Sequence, residues 1–448
     1  MSELSHLILP LGFRYGATTA GLKASGRADF AVIVADEAAN AAAVFTANRV
    51  SAAPLAIDKE HLSATGGKLR VVAINAGNAN CAAGPAGYDA ARATCNAVAE
   101  VFGCSPEQVF PSSTGIIGVP LPAEKLIAVL PSLAASIGRE SDHFAQAAQA
   151  ILTTDLVEKT AFARVNISAS QVISASASDP FSARASDPES RAVSQADGTS
   201  DAEETPDGAA AGSSQEVRIA AFGKGSGMIH PRLVPHATML VYILTDARIE
   251  PAELRVLLSD AVNLSFNRIS VDGDTSTNDT VLLLASGASG VAVDSINREF
   301  ASALNQVCIS LARQIVADGE GVTHVVELHI EGAATDADAL TVAKAIAHSP
   351  LVKTAWAGSD PNWGRLMAAV GYSGVHIDPE RIDISFGDLP ICRNGGRAPE
   401  FDIAAAHAYV SQPEFSVTIR LNQGVGGCVF WTTDLTAQYV RINADYST

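Results

Sequence analysis

Short apolar runs rich in β-branched residues alternate with longer stretches of helical periodicity along most of the chain. The short runs have the length of strands and lie between turn-forming residues. The longer stretches place apolar residues three or four positions apart, as one face of a helix requires. No repeat of about 20–50 residues interrupts this order. The alternation predicts a fold of the mixed α/β (α+β) class.

These patterns also place the individual elements. Strands are predicted at residues 30–35, 43–46, 71–75, 238–244, 280–285, 325–330, 382–386, 415–421 and 427–432. Helices are predicted at residues 88–102, 124–137, 143–152, 251–266, 297–317, 336–346 and 362–370. The longest apolar run, 239–244, has the size of a buried strand, whereas a membrane span needs about 18 apolar residues.

One segment, 175–215, departs from this alternation. It contains eight acidic residues against two arginines, and its net charge of −6 is a third of the chain's −18. It has only two large apolar residues, so it cannot bury enough surface to offset the entropy of ordering. Alternating segments flank it at 163–168 and 217–222. We predict a disordered insertion at the tip of a β-hairpin, with a docking segment as the alternative.

The charge of the chain limits its partners. Lysine and arginine total 30 against 48 aspartates and glutamates, which gives a net charge of −18 over 448 residues. Nucleic-acid binding needs a basic footprint that neutralises phosphates, so that class of function is disfavoured, as is an anionic membrane surface. No basic segment followed by a long apolar run opens the chain. A secretory signal is therefore not predicted, and the expected location is the cytoplasm.

Common catalytic and metal-binding motifs do not occur in the sequence. It has no phosphate-binding loop, no HExxH and no GxSxG. The six cysteines form no CxxC pair, which argues against a zinc ribbon. Asp272-Gly-Asp274-Thr-Ser276 begins like a calcium loop, but Thr277 and Leu283 stand where an EF-hand needs Gly and Glu. We expect no metal ion and no bound cofactor.

Six short stretches are dense in Gly, Asn and Thr and border predicted strands or helices. They are residues 75–80, 113–118, 224–229, 271–279, 318–321 and 360–365. Such loops occur where backbone N–H groups must face a ligand. Each alone is typical of a tight turn, but six in one chain favour an enzyme site.

The most specific of these stretches is Lys224-Gly-Ser-Gly-Met-Ile-His-Pro231, which is followed by His236-Ala-Thr-Met-Leu240. Together they resemble the signature of the ornithine acetyltransferase family, the glutamate N-acetyltransferases of arginine biosynthesis. Other similar stretches are Val44-Phe-Thr-Ala-Asn48, 75–80, Ser113-Thr-Gly-Ile-Ile-Gly118, Leu152-Thr-Thr-Asp155, 265–280, Ser349-Pro-Leu-Val-Lys353, 360–365 and Ile442-Asn-Ala-Asp-Tyr446. The resemblance covers nearly the whole chain except 175–215. It implies the family's α/β sandwich, with β-layers between helices.

The resemblance also implies that the chain cuts itself between Ala237 and Thr238, leaving an α-chain of 1–237 and a β-chain of 238–448. A threonine hydroxyl is a weak nucleophile that needs an adjacent base. Cleavage would give Thr238 its own α-amine, whose pKa of about 8 suits a general base. Thr238 is therefore the expected nucleophile. Without the surrounding motif, it would indicate only the start of a buried strand.

Further site residues follow by resemblance. Thr114 and Gly115 match the family's oxyanion hole, which presents a hydroxyl and a backbone N–H to the developing negative charge. The family's substrate contacts map onto Thr153 or Thr154, Lys224, Thr238, Glu320, Asn443 and Thr448. The charges of these residues match those of an amino acid substrate, because Lys224 can pair with a substrate carboxylate and Glu320 with an ammonium group. Asn443 and Thr448 lie near a chain end that would normally fray, so their role requires the C-terminal tail to dock.

The reaction implied by the resemblance is transfer of acetyl from N²-acetylornithine to glutamate, by a ping-pong mechanism through an acetyl-Thr238 ester. The implied assembly is a heterotetramer of two α- and two β-chains. The sequence leaves open whether acetyl-CoA also serves as an acetyl donor.

Two other functions remain as alternatives. An N-terminal-nucleophile aminopeptidase or amidase would use the same Thr238 but release the acyl group to water. A non-catalytic, unprocessed metabolite-binding relative is the second alternative. It arises because the link 232–236 is longer than the family's, which could alter the geometry of self-cleavage.

Overall fold

A computed structural model describes residues 9–167, 215–231 and 239–445 of the chain. Its strands are β1 (Phe13–Thr18), β2 (Phe30–Phe45), β3 (Lys68–Asn78), β4 (Val109–Ile116), β5 (Lys159–Ile167), β6 (Gln215–Lys224), β7 (Leu240–Thr245), β8 (Ile269–Ser270), β9 (Thr280–Ala285), β10 (Val325–Ala333), β11 (Asp383–Phe386), β12 (Leu389–Arg393), β13 (Gly396–Arg397), β14 (Glu414–Arg420) and β15 (Gly426–Thr433). Its helices are α1 (Ala53–Ala64), α2 (Pro85–Phe102), α3 (Ala123–Ser136), α4 (Ser141–Ala150), α5 (Pro251–Leu264), α6 (Arg298–Ala317), α7 (Asp336–Ala347), α8 (Pro350–Ala357), α9 (Trp363–Gly371), α10 (Ile403–Val410) and α11 (Ala437–Asp445).

The strands of the described residues form two mixed sheets. The first has the order β4-β3-β2-β9-β7-β6-β5, with β1 paired to β2, and the second has the order β13-β12-β11-β14-β10-β15-β8. In the first sheet, the parallel pairs β3–β4 and β7–β9 stand beside antiparallel pairs such as β5–β6. The mixed class predicted from the alternation of elements is confirmed.

Helices cover both faces of the first sheet. Helices α5 and α6 pack on one face through apolar residues such as Leu258 and Leu311, while α1 and α4 pack on the other through Leu55 and Phe144. All six residues of β7 are buried, because both faces of that strand are covered. The second sheet packs against α7, α8, α9 and α10. This is the layered sandwich of sheets and helices that the resemblance implied.

The β5–β6 hairpin carries the acidic insertion. The two strands pair antiparallel from Lys159 opposite Gly223 to Ile167 opposite Gln215. The predicted position of the insertion, at the tip of a β-hairpin, is therefore confirmed. Apart from Gln215, the segment 175–215 lies outside the described residues.

The two strands predicted at 30–35 and 43–46 are wrong as separate elements, because β2 is one strand of 16 residues. The polar residues between the two apolar runs indicated a turn. Instead, the register of β2 on β3 shifts between Val34 and Ala39, and the strand continues. Asp36 lies at this irregularity, where it is partly exposed and pairs with Arg14 and Arg139.

The other predicted elements agree with the observed ones to within a few residues at each end. Within the described residues, no helix has the length and apolar character that crossing a bilayer requires.

The ammonium group of Lys353, in α8, is buried against the end of β15. Its Nζ donates to the carbonyl oxygen of Thr433 and lies 3.2–3.3 Å from the hydroxyls of Thr433 and Thr432. Burial lowers the pKa of Lys353 to about 7, although the carboxylates of Asp434 and Asp272 act in the opposite direction. Protonation of Lys353 therefore lowers the free energy of unfolding, because the unfolded chain binds this proton more tightly than the folded protein does.

We expect this cost to appear in the pH dependence of stability. Between pH 7 and the unfolded lysine pKa of about 10.4, the unfolded chain binds more protons at this position, so stability rises with pH. The free energy of unfolding of wild-type protein, relative to that of Lys353→Met, should therefore increase by about 2 kcal/mol from pH 7 to pH 9. Denaturant unfolding of both proteins at the two pH values measures it. A difference that does not change with pH would show that Lys353 keeps an ordinary pKa.

Candidate active site

Seven residues singled out from the sequence line one cavity of about 130 Å³. They are Thr114, Gly115, Thr153, Thr154, Lys224, Glu320 and Asn443. They come from distant parts of the chain: the end of β4, the loop after α4, the end of β6, the loop after α6, and α11. Ser276, Thr277 and Asn278, from the loop before β9, complete one wall. The cavity wall carries both an ammonium and a carboxylate group.

Thr114 and Gly115 lie at the irregular end of β4, next to the end of β3, and are called here the Thr114–Gly115 turn. Gly115 has φ +133°, and a Cβ atom built on it would lie 2.4 Å from the carbonyl carbon of Gly77. No other residue type fits there, since both the backbone angle and the space exclude a side chain. The close approach of the two strand ends brings the backbone of this turn to the cavity wall.

Asn278 holds this turn in place. Its Nδ2 donates to the carbonyl oxygens of Ser113, at 2.8 Å, and Ala79, at 2.6 Å. Thr277 Oγ1 in turn donates to Asn278 Oδ1. The Ser113 hydroxyl donates to Asn75 Oδ1 at 2.6 Å. These hydrogen bonds fix the neighbours of the turn on both sides, and rigid placement of the donors is a condition for an effective oxyanion hole.

Lys224, paired with the buried Asp155, forms the cationic side of the cavity. Lys224 Nζ lies 3.5 Å from Asp155 Oδ2, and the Lys224 side chain is 11% exposed. Burial alone would raise the pKa of the Asp155 carboxyl. The charges of Lys224 and Lys159, with hydrogen bonds from Lys159 and Gly225, outweigh burial and hold this pKa well below its usual range. Asp155 is therefore a carboxylate, and the Lys224 ammonium faces the cavity beside it.

Glu320 forms the anionic side. Its backbone N–H donates to the carbonyl oxygen of Ser226 at 3.0 Å, and its Oε2 accepts from Asn443 Nδ2 at 2.9 Å. The Ser226 hydroxyl lies 2.7 Å from Thr154 Oγ1. A Cβ on Gly227 would lie 2.5–2.6 Å from the Glu320 carboxyl group, so a side chain at position 227 would displace that carboxyl from its present place.

The C-terminal helix α11 docks on the site, as the predicted role of Asn443 required. Besides Asn443, Tyr439 contacts the site, since its hydroxyl donates to Asp272 Oδ2 at 3.3 Å. The Asp272 carboxylate also accepts from the backbone N–H groups of Met228 and Ile229, at 2.6 and 2.8 Å. The helix and the glycine-rich turn 224–229 are thus joined through one carboxylate.

Met239, the residue that follows the predicted cleavage site, lies next to this cavity. A smaller space of about 40 Å³ is lined by Thr114, Lys224, Asp279 and Met239, among others. Met239 follows Thr238 directly in sequence. Ala237, Thr238 and Thr448 themselves lie outside the described residues, so their roles stay predictions.

Five of the six Gly/Asn/Thr stretches contribute to the cavity, and the stretch 360–365 does not. Its Asn362 side chain accepts from the backbone N–H of Arg365 and caps the start of α9. Asp155 and Asn278 were not predicted as site residues. Both lie inside stretches that resemble the family, and this was the signal that could have drawn attention to them. No cluster of metal-ligating side chains occurs within the ranges that the structure describes.

Comparison with known proteins gives consistent matches over the chain. A sequence model of the ArgJ family matches residues 14–178 and 177–448. The arginine biosynthesis bifunctional protein ArgJ of Geobacter sulfurreducens is 41% identical over 441 residues, covering 98% of this chain and 99% of that protein. The protein of the same name from Ruegeria pomeroyi is 38% identical, covering 97% and 94%.

Among solved structures, the arginine biosynthesis bifunctional protein argJ of Bacillus halodurans is 42% identical. The match covers 46% of this chain and 98% of that chain, with a TM-score of 0.44. The family match and the full-length relatives confirm the resemblance seen in the motifs. This chain belongs to the ArgJ family.

Proposed function

We propose that this protein is a glutamate N-acetyltransferase of arginine biosynthesis, which transfers acetyl from N²-acetylornithine to glutamate. The observation that carries the proposal is the single cavity shared by the Thr114–Gly115 turn, Lys224 and Glu320. It combines a preorganised turn for an oxyanion with a cation and an anion, the pair of charges that an amino acid substrate needs.

The charges suggest how the acetyl donor binds. The Lys224 ammonium is suited to the α-carboxylate of acetylornithine, and the Glu320 carboxylate to its side-chain ammonium. Thr154 also lines the cavity, and its hydroxyl pairs with the buried Ser226 hydroxyl. The acetyl group then faces the Thr114–Gly115 turn, next to Met239.

The proposed reaction has two halves. The Thr238 Oγ attacks the acetyl carbonyl while its α-amine takes the hydroxyl proton, and Thr114 and Gly115 stabilise the oxyanion. The C–N bond breaks, ornithine leaves with the proton returned from the α-amine, and an acetyl-Thr238 ester remains. The amine of glutamate then attacks this ester, N-acetylglutamate forms, and the Thr238 hydroxyl is restored.

The assembly proposed with this function has two cut protomers, each holding both fragments. The lining of the cavity supports the proposal that the two fragments stay together. Thr114 and Lys224 belong to 1–237, whereas Asn278 and Glu320 belong to 238–448. Co-elution of both chains in gel filtration is the corresponding measurement. We further propose that the enzyme acts in the cytoplasm without a resident cofactor.

Acetyl-CoA is proposed as a second acetyl donor, because the relatives from Geobacter sulfurreducens and Ruegeria pomeroyi are named bifunctional.

The test of the proposed function is one assay with two donors: acetylornithine and acetyl-CoA, each incubated with glutamate. Formation of N-acetylglutamate from acetylornithine supports the proposal. Release of acetate without N-acetylglutamate would identify an amidase, and an inactive, uncut chain would identify a non-catalytic relative.

Gly227 offers a direct test of the Glu320 role. In Gly227→Ala, the new methyl group would displace the Glu320 carboxyl, because the two would lie 2.5–2.6 Å apart. We expect the KM for acetylornithine to rise about tenfold, equivalent to about 1.4 kcal/mol of lost binding. Thermal stability should change little, because a flexible carboxyl group can move aside.

Gly364→Ala in α9 is the matched control, because a Cβ there meets only an ordinary contact at 3.6 Å. Steady-state kinetics and thermal melts of both variants complete the test. Equal KM values for Gly227→Ala and wild type would remove Glu320 from substrate binding.

A further inference from the structure

A buried network of alternating charges lies behind the cavity wall. It consists of Asp155, Lys159, Asp318 and Lys224, two carboxylates and two ammonium groups. Lys159 and Asp155 have fully buried side chains, Asp318 is 6% exposed, and Lys224 is 11% exposed where it reaches the cavity. The four formal charges cancel.

The Lys159 ammonium group donates all of its hydrogen bonds within the protein. Its Nζ donates to Asp155 Oδ1 at 2.7 Å, to Asp318 Oδ2 at 2.6 Å and to the carbonyl oxygen of Val157 at 3.1 Å. An ammonium group has three protons, and these three acceptors use all of them. Lys159 therefore has no proton left for a substrate, and its contacts are confined to the protein.

Asp155 connects two segments that line the cavity, the Thr153–Thr154 turn and the end of β6. Its Oδ1 accepts from Lys159 and from the backbone N–H of Gly225 at 2.7 Å. Its Oδ2 accepts from the backbone N–H of Thr153 at 3.1 Å and faces Lys224 Nζ at 3.5 Å. One carboxylate thus fixes the Thr153–Thr154 turn and the end of β6 relative to each other.

Asp318 extends the network to the third segment. Its Oδ2 accepts from the backbone N–H groups of Leu156 and Val157, at 3.0 and 3.4 Å, in addition to Lys159. Asp318 also caps the end of α6, two residues before Glu320. The cation and the anion of the cavity are therefore linked through Asp155, Lys159 and Asp318.

Stability alone does not account for such a network. Taking paired charges out of water costs about as much as their attraction returns, and well-packed apolar residues of similar size are often at least as stabilising. What distinguishes this network is the position of its groups relative to the cavity. Lys224 is its one member that lines the cavity.

We propose that Asp155 is a positioning residue that fixes the Lys224 ammonium for the substrate carboxylate, with Lys159 and Asp318 holding Asp155. This inference rests on the proposed function, since it assumes an amino acid substrate. It predicts that loss of the Asp155 charge weakens substrate binding more than it slows the bound complex.

The test compares Asp155→Asn with wild-type protein in two measurements. Calorimetric titration gives the Kd of ornithine, and steady-state transfer from acetylornithine to glutamate gives KM and kcat. In Asp155→Asn, we expect both Kd and KM to rise at least about tenfold, because a buried partner of Lys224 is lost. The kcat should fall by less than the KM rises.

A second variant separates positioning from folding. Asp155→Asn leaves the network with one excess positive charge, whereas Asp155→Asn combined with Lys159→Met is neutral again. We expect the double variant to recover thermal stability while its Kd and KM stay high. Asp246→Asn is the matched control. Like Asp155, Asp246 is buried (1% exposed) and accepts from backbone N–H groups. It directly follows Thr245, at the end of β7 that is far from the cavity.

The outcomes are distinct. A double variant that regains wild-type Kd and KM together with its stability would overturn the positioning role, as would an Asp155→Asn protein with unchanged Kd. Wild-type protein that binds ornithine but transfers no acetyl would reject the proposed function alone, and the Kd values would still decide the role of Asp155. Wild-type protein that does not bind ornithine would overturn both.

Discussion

Thr238→Ala protein is expected to remain a single uncut chain of 46.2 kDa and to transfer no acetyl groups. The substitution removes the hydroxyl proposed to attack the Ala237–Thr238 bond, and without that cut no new α-amine forms. The same hydroxyl is the proposed acceptor of the acetyl group, so processing and turnover should be lost together. A denaturing gel and the acetylornithine–glutamate assay measure the two effects.

Thr238→Ser is the matched control, because it keeps a hydroxyl at the same position. It should be cut and should retain part of the activity, since a serine can act as nucleophile by the same chemistry. Thr238→Ala protein that is still cut and still active would show that Thr238 is not the nucleophile. Wild-type protein incubated with acetylornithine alone should carry one acetyl group on the 238–448 chain by mass spectrometry, and an unmodified chain would argue against the ping-pong mechanism.

The sequence predicted the fold class and most elements because burial imposes clear periods on the chain. The predicted strand 280–285 matches β9 residue for residue, since an uninterrupted apolar run between polar residues has well-marked ends. Helix α10 was not predicted. Its segment is apolar at nearly every position, so no polar face marks the helical period, although Ala406 and Val410 are buried. The opposite feature made β2 look like two strands, because its polar middle departs from the core pattern at a register shift.

The site could be predicted as a set of residues, but its internal contacts could not. Residue type and resemblance identified Lys224 and Glu320, and the structure brings both to one cavity. The ion-pair partner of Lys224 is Asp155, about 70 positions earlier in the chain, and the bond from Lys159 to Asp318 spans 159 positions. Contacts of such length depend on how β5 and β6 align with the end of α6, which no local pattern encodes.

Asn278 illustrates the same limit for the oxyanion turn. It lies in the stretch 271–279, which begins like a calcium loop but lacks the Gly and Glu that an EF-hand needs. In the structure, the Asn278 amide spans two carbonyl oxygens from different strand ends. An asparagine that bridges segments about 165 and 199 positions away becomes identifiable only when the strands are assembled.

The Thr114 hydroxyl is the side-chain donor of the proposed oxyanion hole, and its removal should be the second large effect. Thr114→Ala deletes one donor and leaves the Gly115 backbone N–H in place. Loss of one oxyanion donor costs about 10²–10³ in kcat, so we expect a decrease of that size with a much smaller change in KM. The fold should be unaffected, because Asn278 and Asn75 hold the turn through the neighbouring Ser113.

Thr114→Ser is the conservative control and should recover most of the lost rate, because it restores a hydroxyl on the same backbone. A denaturing gel establishes first that each variant is cut, and rates are normalised to the cut fraction, so that a processing defect is not counted as a catalytic one. Steady-state kinetics with acetylornithine and glutamate then give kcat and KM for the three proteins. A kcat within a few-fold of wild type in cut Thr114→Ala would exclude its hydroxyl from charge stabilisation and leave that role to backbone groups such as the Gly115 N–H.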